Sequence, residues 1–145
     1  MKKKRIRPIA LCVFLNNDRI LVFEGYDKVK DETFYRPLGG GIEFGETAED
    51  AVRRELKEEI NAEVGELHYL GLLENIYTFN GKPYHEIVIL FDGALVDSRL
   101  YDQAVIVGEE ANGDTIRAMW KRLDEFGEEK SILYPPGLLE LLAGK

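Results

Sequence analysis

The sequence predicts an α+β fold, an α/β/α sandwich of helices around a mixed β-sheet. Three observations predict it. Apolar, β-branched and aromatic runs recur at the start and through the middle of the chain, one dominant amphipathic helix follows a glycine triplet, and a short apolar helix stands near the C-terminus. With 145 residues and no repeat, low-complexity tract or Pro/Ser-rich linker, the chain reads as a single domain, 1–145, able to bury a core without disulfides.

The first stretch, MKKKRIRPIALCVFL, joins a basic cluster to about eight apolar residues, the outline of a signal peptide. Polar NNDR follows with no small-residue cleavage site, so the stretch is read as a first strand behind a basic tail. RPIALCVFL and ILVFEGY are then two strands joined by a hairpin at NNDR, on their β-branched and aromatic content and the Asn/Asp turn chemistry. DKVKDET is a charged loop. After the glycines a helix runs from about Thr47 to Ile60, and Thr47 with Asp50 three residues on resembles a capping box. ELHYLGLLENIYTF and YHEIVILFDGALV are strands across the turn NGKP. SRLYDQAVIVGEEANGD reads as a loop with some strand, TIRAMWKRL as a strand, and PPGLLELLAG as a closing helix that Pro opens and Gly ends.

Composition removes several functions. Hydrophobic residues make up 45% and charged residues 32%, and no apolar run is long enough to cross a bilayer, which argues against a membrane protein. A net charge of −8 argues against duplex nucleic acid, whose binding needs a basic patch to release counterions. Small phosphorylated molecules remain open, provided divalent cations stand between carboxylates and phosphates. The lone Cys12 rules out a disulfide framework and a cysteine zinc site within one chain; it is read as a buried, inert thiol of a cytoplasmic protein.

The helix carries an anomaly. At about 100° per residue, Ala48, Ala51, Val52, Leu56 and Ile60 fill one arc that faces the core. With Glu55 at zero, Glu59 lies at about 40° and Glu58 at about 60° to the other side, so Glu55 and Glu59 fall among apolar neighbours. Exposed helix glutamates are the plain reading. Yet like charges at i,i+3 and i,i+4 repel, more so as water is withdrawn, and a bound Mg²⁺ or Mn²⁺ would compensate them. Gly39, Gly40 and Gly41 just upstream read as a turn that lets the backbone approach an ion or phosphate, and Arg54 is a ready partner for Glu46.

From Gly40 to Ala62 the order is Gly, five residues, Glu46, seven residues, then Arg54-Glu55-Leu56-Lys57-Glu58-Glu59-Ile60-Asn61-Ala62. This closely resembles the Nudix box, G-x5-E-x7-R-E-U-x-E-E-x-G-U with U a bulky aliphatic residue, the signature of the Nudix hydrolases. Every charged position matches. Asn61 replaces the glycine, and can still adopt the left-handed conformation that ends a helix; Ala62 is smaller than the aliphatic residue of the pattern. The resemblance implies a Nudix-like α/β/α sandwich and a metal-dependent pyrophosphohydrolase that cleaves a nucleoside diphosphate linked to another moiety, with Mg²⁺ the cofactor and Mn²⁺ a possible substitute. Carried over by position, it implies that Glu55, Glu58 and Glu59 are metal ligands, that Glu55 is also a candidate base, and that Gly40 or Gly39 offers a carbonyl to the metal. Arg54 and Glu46 would brace loop and helix. Nudix proteins are frequently dimers, so a homodimer is a possible state.

Outside the box, Glu109 or Glu110 is a candidate further acidic ligand or base, with Glu110 taken as the metal ligand. Arg36, Gly39 and Gly41 are the candidates on the substrate side, and Arg36 and Lys28 could meet phosphates. Tyr35, Phe44 and Tyr77 could stack on a base, with core packing the expectation for each, as for Trp120; His85 is read as structural. The rival class is a catalytically inactive Nudix-like domain that binds a nucleotide or a protein partner. Tyr77 stands where ADP-ribose hydrolases of the family often have proline, and no motif of the NADH or coenzyme A subfamilies is present. Nucleoside triphosphates, dinucleoside polyphosphates, nucleotide sugars and capped RNA ends are left as substrates.

Overall fold

The computed structural model describes residues 4–109 and 112–144. Its central strand, β1 (Ile6–Asn16), is apolar without interruption from Ile9 to Phe14, where it is buried on both faces. Ile9, Leu11 and Val13 enter one core, while Ala10, Cys12 and Phe14 enter the other. β1 turns at Asn17 into β2 (Arg19–Asp27), as the hairpin reading expects, but the two strands pair only through Leu15–Ile20 and Asn16–Arg19. Beyond that they part. β1 continues between β4 (Leu38–Gly41) and β6 (Lys82–Leu95), antiparallel to the first and parallel to the second, and β5 (Val64–Phe79) closes that side against β6. β2 instead takes β3 (Glu32–Arg36) and β8 (Thr115–Arg122), with β7 (Val105–Glu109) beyond β8 and β9 (Ile132–Leu133) parallel to β3. The mixed sheet is therefore split, and the split leaves a cleft.

Helix α1 (Ala48–Ile60) covers one face through Ala51, Val52, Leu56 and Ile60, all buried. Burying a side chain such as Leu56 or Val52 in full contributes about 1.5–3 kcal/mol, which holds the amphipathic helix in place. Thr47 caps it, its hydroxyl accepting from the Asp50 N–H at 3.1 Å. Asn61 ends it in the left-handed conformation, φ 53°, and the Asn61 and Ala62 N–H groups bond back to Lys57 and Leu56. A short α2 (Leu138–Ala143) packs on the opposite face, where Leu141 lies against Gly71 of β5. That gives the three layers. No helix among the described residues is long and apolar enough to cross a membrane.

Two readings change. Glu32 and Thr33, assigned to a charged loop, begin β3, and the glycine triplet forms strand β4 rather than a turn. Gly39 explains the second: at φ +138° a Cβ would lie 2.1 Å from the Ala10 carbonyl oxygen, so only glycine can press against β1 there. The NGKP turn holds, with Asn80 and Gly81 both at positive φ in a two-residue hairpin.

Candidate active site

The cleft has two continuous parts that share Arg36, Glu59, Tyr77, Phe79 and Glu86. The first part, about 440 Å³, brings together Gly39, Gly40 and Gly41 with Glu55, Glu58 and Glu59 of α1 and Glu109 at the end of β7. Local packing sets each position. The Glu55 carboxylate lies so close to Gly40 that a Cβ there would sit 2.6 Å from its Cδ. Gly108 does the same for the far wall: a Cβ would fall 1.7 Å from the Glu59 carbonyl oxygen, so its absence lets β7 dock on the end of α1 and carry Glu109 to the cleft. Glu110 lies outside the described residues.

Arg54 organises this end. Its Nε and Nη2 donate to the two Glu46 oxygens at 2.8 and 2.9 Å, a fork matched to a carboxylate, and Nη2 also donates to the Gly41 carbonyl at 2.9 Å. Nη1 reaches Glu55 at 2.9 Å and Glu58 at 3.3 Å. The strand, the turn and the helix are thus tied by one guanidinium. Arg54 and the Glu43 N–H hold the Glu46 carboxyl down to about 2. Burial pushes Glu55 above the ordinary carboxylate value, with Glu58 adding to the rise, while Arg54 pulls it back.

Among the described residues no three acidic, histidine or cysteine side chains stand close enough together to form a ready-made cation cage. Arg54 occupies the space between Glu55 and Glu58 as the local positive charge. The residues nonetheless fit a hard divalent ion. Their donors are all oxygen, the glycines leave room for the backbone to approach, and Glu55 is an acid whose charge is disfavoured by burial and would be relieved by a cation.

The remaining candidates separate. Arg36 lies at the junction of the two parts, whereas Lys28 sits in the exposed β2–β3 turn, its N–H bonded to Asn80. Tyr35 and Trp120 are buried, Tyr35 bonding Glu24 and Trp120 stacking on Tyr101. Phe44 overturns the core expectation: in the open turn before α1 it has no apolar face to meet and is fully exposed. Tyr77 is half-buried, stacked on Tyr84 at 5.3 Å, and lines the cleft. His85 is half-buried on β6, inside the sheet rather than at an edge.

Sequence reasoning missed Arg7, Asn75 and Glu86. Arg7, read only as the first residue of the first strand, pairs at 3.5 Å with Glu86, its direct neighbour on β6, and lines the cleft. Glu86, 5% exposed, also accepts from the Tyr77 hydroxyl at 3.0 Å, and together with burial this raises the Tyr77 pKa. An acid inside the apolar strand YHEIVIL was the available signal; nothing local marks Asn75.

A family model described as the NUDIX domain matches residues 5–139. NAD-capped RNA hydrolase NUDT12 of Homo sapiens is 36% identical over 67 residues, which are 46% of this chain and 14% of that protein. The oxidized purine nucleoside triphosphate hydrolase of Mus musculus is 30% identical over 88 residues, 61% of this chain and 49% of that one. The chain therefore spans less than half the length of either relative. Among solved structures, a NUDIX hydrolase from Nitrosomonas europaea superposes with a TM-score of 0.65 at 20% identity, over 96% of this chain and 87% of that one. A MutT NUDIX hydrolase from Burkholderia pseudomallei gives 0.59 at 20% identity, over 96% and 99%. The shared fold, the box and a domain match over nearly the whole length agree, and the chain belongs to the Nudix hydrolase family.

Proposed function

We propose that the chain hydrolyses the pyrophosphate link of a nucleoside diphosphate joined to another moiety, with Mg²⁺ as its cofactor and Mn²⁺ as a substitute. The observation that carries this reading is the Glu55 carboxylate lying against Gly40, in one cleft with Glu58, Glu59 and Glu109. Both named relatives are hydrolases of nucleotide-containing compounds, which supports a nucleotide substrate. The buried, free Cys12 accords with a cytoplasmic setting.

Glu55, Glu58, Glu59 and the Gly40 carbonyl would hold the cation, with Glu109 across the cleft as a further oxygen ligand. A divalent ion bound there supplies neutralisation of charge on the phosphate oxygens and a more acidic water. Glu55 takes the proton of the attacking water, a role suited to a carboxylate that burial makes a stronger base than an exposed one. The water oxygen bonds to phosphorus as the anhydride P–O bond breaks in line, and the leaving phosphate departs with the bonding pair. Arg36 and Arg7, both on the lining, meet the phosphate oxygens. Arg54 positions: through Glu46 and Gly41 it holds Glu55 in register.

The test is phosphate release from nucleoside triphosphates, dinucleoside polyphosphates, nucleotide sugars and capped RNA, each with Mg²⁺ and with Mn²⁺. Turnover of at least one class, lost in Glu55→Gln, is expected. Either metal should also raise the melting temperature of the parent and not of Glu58→Gln. Inactivity throughout, with no thermal shift, would leave a nucleotide-binding domain instead.

A further inference from the structure

Beyond Arg36 the cleft widens into a chamber of about 480 Å³. Its walls are aromatic: Phe34 meets Phe79 edge-on at 5.8 Å and Tyr134 at 5.5 Å, and Tyr77 stands beside them. Faces of this kind receive a flat heteroaromatic ring. The polar floor is more informative. Asn75 and Glu86 lie opposite one another in the β5–β6 register, and each is 5% exposed. Glu86 is engaged by Tyr77 and Arg7. Asn75 lines the chamber with an amide whose Oδ1 has no hydrogen-bond partner among the described residues. On the same lining, the buried Oδ2 of Asp27 has no hydrogen bond and only a 3.8 Å ion pair with Lys30.

A buried polar atom without a partner is costly, and is kept where a ligand completes it. Both orphaned atoms here are acceptors, so the ligand that satisfies them presents N–H donors. We propose that Asn75 reads the nucleobase, and that the chamber prefers a base carrying an exocyclic amino group to its amino-free counterpart. The identity of the ligand as a nucleotide rests on the function proposed above; the preference rests on the chamber. Arg36 fixes the direction, with phosphates toward Glu55 and the base toward Asn75.

The test titrates GMP against IMP, which differ only in the 2-amino group, and CMP against UMP, into the intact protein by calorimetry without added metal. GMP and CMP should bind about 10-fold tighter than their counterparts, the order expected of one well-placed hydrogen bond to a base. Asn75→Leu should bring each pair to equal affinity, while Asn75→Asp, still an acceptor, should keep the preference. Asn75→Leu loses no protein partner of Oδ1 and should melt at or above the parent temperature, so a changed affinity is not an unfolded protein. Equal affinity within either pair in the parent, absence of binding by all four, or a preference that survives in Asn75→Leu overturns the proposal. No hydrolysis enters this measurement. An inactive protein that still discriminates GMP from IMP leaves the chamber's role standing, and an active one that does not discriminate refutes it alone.

Discussion

At its carboxylate end the cleft takes its three glycines and three of its acids from one stretch of chain, Gly39 to Glu59, in which a strand, a turn and a helix fold on one another under the grip of Arg54. At its aromatic end Phe34, Asn75, Phe79 and Tyr134 arrive from two separate strands, β3 and β5, and the segment before α2. The first end concentrates charge and holds it by charge-assisted hydrogen bonds. The second sets packed aromatic rings beside the buried polar groups of Asp27, Asn75 and Glu86. On the function proposed above, the carboxylate end would carry the chemistry and the aromatic end the selection of substrate. Variants at the two ends should therefore differ in which kinetic constant they move.

The largest effect is expected at Glu55. Glu55→Gln keeps the shape and removes the base, so kcat should fall by about 10²–10⁴, the range of a lost general base, with KM little changed. Burial already disfavours the ionised form, so the metal-free variant should melt no lower than the parent. A variant with normal kcat would move the proton to another group, Glu109 on the same lining being the candidate. Arg54→Ala should come next. It frees Glu46, Glu55 and the Gly41 carbonyl together, and a displacement of Glu55 by about 1 Å can cost about 100-fold in kcat/KM. Arg54→Lys should restore less than half of the lost stability, read by urea denaturation, because an ammonium lacks the fork that grips both Glu46 oxygens. Equal rescue by lysine would mean that charge alone, without the bidentate geometry, braces this end.

The aromatic end breaks differently. A methyl group on Gly25 would fall 2.4 Å from the Phe34 ring, which must then tilt into the chamber. Gly25→Ala should raise KM by about 10-fold, the effect of one misplaced apolar group in a pocket, and leave kcat within about two-fold. A fall in kcat at unchanged KM would show that the chamber is coupled to the chemistry rather than to binding.

The same division decides what the sequence made legible. Helical periodicity, the Thr47 cap and the Asn61 stop are written within a few residues of where they act, so α1 and its carboxylates could be placed before any coordinates. β3 and β4 could not. Their apolar residues, Phe34, Tyr35 and Leu38, stand between charged residues, a proline and a glycine triplet in runs too short to show a period, and pairing with β2 and β1 makes them strands. Arg7 was given no role, since nothing local distinguishes an arginine that merely opens a strand from one that pairs with a buried acid 79 positions away. Phe44 erred in the other direction: an aromatic residue was credited with a core contact that its turn does not supply. The chamber was invisible because each of its residues has an ordinary local explanation.

Glu46 offers the smallest effect and the cleanest sign. Two bonds from Arg54 and one from the Glu43 N–H favour its ionised form, holding the carboxyl at about 2 in the folded chain against an ordinary 4.5. A group whose folded pKa is lowered contributes stability that is complete above the unfolded value and disappears as pH falls through the folded one. Arg54 stays charged across that window, so the change belongs to the carboxyl. The urea midpoint of the parent should thus exceed that of Glu46→Gln at pH 7, hold its lead down to about pH 4.5, and lose it as the pH approaches 2. Other acids titrate in the same window in both proteins, which is why the difference between the two curves, and not either curve, is the measurement. A gap of the same size at pH 2 and pH 7 would mean that the glutamine loses shape rather than charge, and the brace at the carboxylate end would be steric, as it is at the aromatic end.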